Sequence, residues 1–227
     1  MTDLLTPDEA EALLLSLRVS FVAVFAALPF AVAAALWLSR TRFPGKVVID
    51  GLIHLPLILP PVAVGFLLLV LLGTRGGLGG WLYQSFGIRF VFSWTGAALA
   101  SALITFPFQV RAIRLALEGA DPGLDAAAET LGAGWWDRLV NLTLPLAFPG
   151  IVAGLITAFA ASLGEFGAII TFVSNIPGET RTLPLAIYSA LQSPGGEAEA
   201  ARLSLISILL ALLFMTLAEL AQRRMKR

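Results

Sequence analysis

The chain has 227 residues, 58% of them hydrophobic and only 13% charged, with a formal net charge of +0. Soluble domains are about 45–50% apolar and about 25% charged, so this is the composition of an integral membrane protein, and its charge balance gives no basis for a nucleic-acid partner. The absence of cysteine excludes disulfides, thiolate metal sites and cysteine nucleophiles, and a single histidine, His54, builds no His cluster.

Residues 1–11 are acidic, with Asp3, Asp8, Glu9 and Glu11. Thr6-Pro7-Asp8-Glu9 reads as a helix start, with Thr6 as N-cap, Pro7 in the first turn and Glu9 closing a capping box. A secretory signal begins with positive charge, and this segment does not. Residues 13–38 form the first span, since a bilayer core needs ~20 apolar residues per helix. Arg18, near its start, is expected to snorkel outward. Arg40, Arg42 and Lys46 follow around Pro44-Gly45, and the positive-inside rule makes that loop cytoplasmic and the N-terminus external. The second span, residues 51–72, carries Pro56, Pro60 and Pro61, then Gly65. Prolines free backbone carbonyls, which the membrane tolerates only where they are buried in protein or line a cavity. A plain kink is the bland alternative; a pathway-lining segment at Pro60 and Pro61 is the sharper one.

Residues 73–93, rich in glycine and aromatics, read as an external loop with Trp81, Tyr83 and Trp94 at interface depth. The third span, 95–117, holds Pro107 and Gln109 and ends on the cytoplasmic side at Arg111 and Arg114. A polar loop, 118–144, comes next, and its core is DAAAETLGAGWWDRLVNLTLP from Asp125 to Pro145. Ala126, Ala127, Ala128, Glu129 and Leu131 favour helix, and Gly132 stops it. A second short amphipathic piece covers 135–141, and Leu144-Pro145 is a break that opens the next apolar helix. The fourth span, 145–172, has a small-residue stripe at Gly150, Gly154 and Ala158 that admits a close helix neighbour. Glu165 lies well inside it. Residues 174–182 form a polar external loop. Residues 183–192 are apolar but too short to cross, and read as a re-entrant or interfacial helix. After a loop at 193–199, the last span, 203–221, ends in Arg223, Arg224, Lys226 and Arg227, a cytoplasmic anchor.

The expected fold is therefore an all-α membrane protein, one transmembrane domain over 1–227 with about five transmembrane helices, N-terminus outside and C-terminus cytoplasmic. Arg138 joins the cytoplasmic cations, while Arg75, Arg89, Arg181 and Arg202 fall outside. The polar loop at 118–144 faces the cytoplasm. Connections usually run ~4–6 residues; this one is longer, helical and carries Trp135 and Trp136, which suit either a docking surface for a cytoplasmic partner or interfacial anchors. No P-loop is present: Gly45-Lys46 is followed by Val47 and lacks the upstream glycine.

The polar loop resembles the coupling ("EAA") loop of ABC importer permeases. Small residues precede Gly132, and Leu142-Thr143-Leu144-Pro145 matches the closing element. Counted back from Gly132, the family glutamate falls on Ala126, with Asp125 one place earlier. SLGEFGAIITFVSNIPGETRTLPLAIYSALQSPGGE (162–197) and PLILPPVAVGFLLL (56–69) resemble the molybdate ABC transporter permease family. Sulfate and tungstate permeases share the Gly-Glu-aromatic-Gly core. The likeness covers most of the chain from about residue 43 onward.

The resemblance implies a type I-like importer permease in a bacterial inner membrane. It implies a homodimer of permease subunits, two ATP-binding subunits under the coupling loops, and a periplasmic molybdate-binding protein outside. No cofactor is expected on this chain, with ATP used by the partner ATPase. The coupling residues would be Asp125, Ala126, Ala127, Ala128, Glu129, Gly132, Leu142, Leu144 and Pro145.

Pathway or gate candidates are Ser162, Thr171, Ser174, Thr105, Pro60, Pro61 and Glu165. Helix N-termini and hydroxyls can cradle an oxyanion without fixed cations. Glu165 would repel an anion, and its charge costs ~2.5–3.5 kcal/mol at a helix centre. It is expected to be structural or gating, either protonated or paired with an arginine or backbone N–H groups. His54 reads as a packing or interface residue, and Asn141-Leu142-Thr143, a glycosylation pattern, falls inside the cell. An ion-coupled secondary transporter would need internal repeats and intramembrane carboxylates, and only Glu165 answers that description. A membrane enzyme would need clustered acid, base or metal ligands.

Overall fold

The computed structural model describes residues 5–41, 43–121 and 123–225, so Arg42, Lys226 and Arg227 lie outside the described residues. No strand occurs among the described residues. The first helix, α1, runs Pro7–Arg40, and the capping box expected at its start is present: the Thr6 hydroxyl accepts from the Glu9 N–H, and the Thr6 N–H donates to Glu9 Oε2 at 2.7 Å. Its 34 residues make a rod of about 51 Å at ~1.5 Å per residue, longer than a bilayer core of ~30 Å. Buried Val19, Ala23, Ala27, Ala31, Ala35 and Leu38 mark one face at helical spacing. Arg18 does not simply snorkel; its guanidinium lies 3.7 Å from the ring centroid of Trp94, a cation–π contact.

The second apolar segment is not one straight span. It consists of α2 (Lys46–Ile58) and α3 (Pro61–Leu72), bent by 110°. The break is chemical: Pro60 and Pro61 carry no N–H, and each pushes the residue before it out of the helical region, so Leu59 and Pro60 are extended. The loop at 73–93 holds an unexpected helix, α4 (Gly77–Phe86), stopped by Gly87 in the left-handed region at φ +67°. The central helix, α5, spans Trp94–Glu118 and is the most enclosed of the long apolar helices.

The polar loop folds as α6 (Gly123–Thr130) and α7 (Trp135–Arg138). A π turn over Leu139–Thr143 then leads into α8 (Leu144–Leu163). Leu144-Pro145 therefore does not interrupt the chain. Pro145 sits in the first turn of α8, where its missing N–H is tolerated, and an apolar helix runs on from Trp135 to Leu163. The fourth span is shorter than expected, because α8 stops at Leu163 and α9 (Gly167–Val173) restarts after a break. The segment at 183–192 is the short helix α10 (Leu183–Leu191), packed on α1 and on the last helix, α11 (Glu197–Met225), with Ala12, Leu183, Ala186 and Leu203 buried between them. Among the described residues four helices are long and apolar enough to cross a membrane, five if the bent α2–α3 pair is one span.

Small residues set the closest approaches. A Cβ on Gly150 would stand 2.6 Å from the Ala112 carbonyl oxygen, and one on Gly154 3.0 Å from Gln109 Cα, so the expected stripe meets α5. In the same way, α3 and α9 touch through Gly65 and Gly167. A Cβ on Gly65 would sit 2.6 Å from the Ala168 oxygen, and one on Gly167 2.9 Å from Pro61 Cβ.

Candidate coupling face and broken-helix site

The coupling candidates fall on the α6–α7 hairpin and on the π turn and first turn of α8 that follow it. Asp125, Ala126, Ala127, Ala128 and Glu129 occupy α6. Gly132 ends it at φ +85°, with the Gly132 N–H on the Glu129 carbonyl and the Ala133 N–H on the Ala128 carbonyl, both 3.0 Å. That bonding is a Schellman closure, and it needs the left-handed residue that glycine supplies. Leu142 lies in the π turn; Leu144 and Pro145 open α8. At the tip, Leu131 is 87% exposed, and the Trp135 and Trp136 rings, 4.9 Å apart and edge-on, are also exposed. The tip of this polar hairpin is therefore apolar and exposed.

Charge holds the hairpin shut. Arg138 Nη1 donates to Glu129 Oε2 at 2.8 Å and lies 3.5 Å from Asp125 Oδ2, linking α7 to α6 across the glycine turn. Asp125 therefore has an intramolecular partner. Two residues that sequence reasoning did not single out complete the network. Arg40, at the end of α1, donates to the Thr143 hydroxyl at 2.6 Å, and Thr143, 5% exposed, donates to the Arg138 carbonyl at 3.1 Å. Arg40 was legible only as a topogenic charge. Nearby, Asp50 of α2 accepts from Arg114 of α5 at 2.8 Å, and His54 bonds through Nδ1 to the Asp50 carbonyl of its own helix, a packing role.

The membrane candidates divide. Pro60, Pro61, Glu165 and Thr171 come together where the α2–α3 break faces the α8–α9 break; a Cβ on Gly65 would stand 2.9 Å from Thr171 Cβ. Glu165 is 7% exposed, and its Oε1 accepts the Ala168 N–H at 2.8 Å. Of the pairings expected for Glu165, the structure shows a backbone N–H of its own chain: from just ahead of α9 the side chain takes the Ala168 amide of its first turn. Thr171 turns its hydroxyl back to the Gly167 carbonyl at 2.8 Å, and Thr105 does the same to Ser101 at 2.8 Å while fully buried in α5. Ser162 is buried in the last turn of α8, its hydroxyl without a partner. Ser174 lies at the far end of α9 with φ 66° and ψ −167°, a region essentially reserved for glycine. Its carbonyl accepts from the Thr180 hydroxyl at 3.0 Å, which helps hold that conformation.

A family model described as binding-protein-dependent transport system inner membrane component matches residues 27–227. The molybdenum transport system permease protein ModB of Escherichia coli (strain K12) is 58% identical over 216 residues, 95% of this chain and 94% of that protein. The sulfate transport system permease protein CysT of the same organism is 37% identical over 221 residues, 96% of this chain and 79% of that one. In fold, the chain is similar to a chain of the bacterial alginate ABC transporter crystallised in complex with an alginate pentasaccharide-bound periplasmic protein. The TM-score is 0.78 at 20% identity, covering 98% of this chain and 81% of that chain.

Proposed function

The chain belongs to the binding-protein-dependent transport system inner membrane component family, and on that premise we propose that it is the permease subunit of an ATP-driven importer of molybdate. The observation that carries the substrate is the 58% identity to a molybdenum permease over nearly the whole of both chains, against 37% to a sulfate permease. Tungstate and sulfate are the alternatives within the same family. Family membership sets aside the ion-coupled transporter.

In this reading two copies of the chain form the pathway. The α6–α7 hairpin of each docks on an ATP-binding subunit through Leu131, Trp135 and Trp136, and an external binding protein delivers the anion. No cofactor is needed on this chain; ATP is bound and spent by the partner. Closure of the ATPases draws the hairpins together and switches the pathway between inward and outward states, a rigid-body transition. The contact of the two broken helices is the candidate gate. Glu165 occupies the Ala168 amide in the first turn of α9, so that amide serves the carboxyl rather than the anion, which passes by weak contacts that permit release.

Two experiments test this. Replacing the exposed Leu131, Trp135 and Trp136 together by serine abolishes ATPase co-purification while the spans still fold; retained association contradicts the docking surface. Uptake of labelled molybdate by cells lacking their own importer, with this chain expressed beside its ATPase and binding protein, tests the substrate.

A further inference from the structure

The helix α1 is fastened to different elements along its length. At its cytoplasmic end Arg40 bonds Thr143, Thr143 bonds the Arg138 carbonyl, and Arg138 reaches Asp125. Arg40 Nη2 then returns to within 3.9 Å of Asp125 Oδ1, closing a ring through α1, α6, α7 and the π turn. In mid-span the Gln109 amide of α5 donates to the Val24 carbonyl at 3.0 Å. At the outer end Ser16 accepts the Leu183 N–H of α10 at 2.6 Å, and Glu9 pairs with Arg202 of α11.

The cytoplasmic ring is incompletely made. Asp125 Oδ1 and Arg138 Nε are buried without hydrogen-bond partners. These two atoms are shielded from water although the Arg40 and Asp125 side chains are otherwise part exposed, and an acceptor and a donor both unmet leave a second, tighter arrangement to be made. Arg40 needs to approach Asp125 by only ~1 Å to bond it. A cavity of about 400 Å³ beside the ring, lined by Arg40, Glu118, Leu124, Asp125, Thr143 and Leu146, leaves room for that movement. The π turn at Leu139–Thr143 supplies the compliant joint, as π turns often do at functional sites.

We propose that α1 is the transmission strut of the transporter: the Arg40–Thr143–Arg138–Asp125 ring hands the displacement of the cytoplasmic hairpin to α1, which carries it to α10 and α11 at the outer face. This rests on the reading that an ATPase docks under the hairpin. Arg40 and Thr143 are positioning residues and touch neither ATP nor the anion.

The test is Thr143→Val, which removes the hydroxyl at nearly constant shape, in the full complex reconstituted into vesicles with ATPase and binding protein. The ATPase co-purifies in wild-type amount and hydrolysis persists. Molybdate carried per ATP falls about tenfold, the effect of one well-made buried hydrogen bond. Thr143→Ser restores the ratio. An unchanged ratio, or uptake and hydrolysis falling together in proportion to lost complex, overturns the strut. If Thr143→Val does not assemble, Arg40→Gln is read by the same ratio. A wild-type chain that retains no ATPase overturns the docking reading and the strut with it. That failure appears as a missing subunit rather than an altered ratio.

Discussion

Arg202, at the start of α11, reaches Glu9 in the first turn of α1, its Nε 2.8 Å from Glu9 Oε1. The two residues stand 193 positions apart, and Glu9 is 1% exposed. Glu9 lies ahead of the apolar run that begins at residue 13, so this ties the first and last helices beyond the apolar part of the first span.

The tie has a pH signature. Burial alone would raise the Glu9 carboxyl; hydrogen bonds from Arg202 and Thr6 outweigh it and hold it below its ordinary value of 4.5. A depressed carboxylate contributes stability that is present above its unfolded value and is lost as pH falls through the folded one. Arg202→Gln therefore lowers the thermal midpoint of the detergent-solubilised protein by a few degrees at pH 7. The gap from wild type narrows in acid below the ordinary carboxylate range. A gap that does not change with pH contradicts the pairing.

The contact of α3 and α9 depends on two missing Cβ atoms. Gly65→Ala places a methyl carbon 2.6 Å from the Ala168 oxygen and is expected to destabilise by about 1–3 kcal/mol, the range for overpacking. Gly51→Ala, in α2 with nothing within 4 Å, is expected to stabilise by about 0.5–1 kcal/mol, since alanine is the better helix former. Thermal midpoints of the two variants should move in opposite directions.

Ser174 stores backbone strain. Ser174→Gly at φ 66° is expected to raise stability by about 1 kcal/mol or more, while Ser174→Ala gives no such gain. Uptake measured beside the midpoints shows whether the strain serves transport: a higher midpoint with slower uptake in Ser174→Gly assigns it a role, and unchanged uptake removes Ser174 from the pathway candidates.

Glu165 separates cap from charge. Glu165→Gln keeps an oxygen for the Ala168 N–H, so assembly is retained while uptake or its coupling to ATP changes. Glu165→Ala removes the cap and is expected to destabilise by about 0.5–2 kcal/mol. Uptake and ATPase stimulation both unchanged in Glu165→Gln would leave Glu165 a cap and nothing more.

Much of this was legible in local sequence. The capping box at Thr6 and Glu9, the Gly132 stop and the Gly150/Gly154 stripe are short-range patterns, and each appears where its residues indicate. The 110° bend at Pro60-Pro61 was legible as freed backbone but not as an angle, because proline removes a bond without fixing what replaces it. The run of apolar residues through Glu165 hid the break after Leu163, since hydropathy does not register a helix ending inside the membrane. The partners of Arg40 and Glu9 lie 103 and 193 residues away, beyond any spacing rule.

The most direct test of the central claim is ATP-driven accumulation of labelled molybdate in vesicles holding the purified permease, ATPase and binding protein, with excess sulfate or tungstate as competitor. The account predicts accumulation that requires ATP, resists sulfate and is blocked by tungstate. Accumulation of sulfate with none of molybdate would keep the family and contradict the substrate.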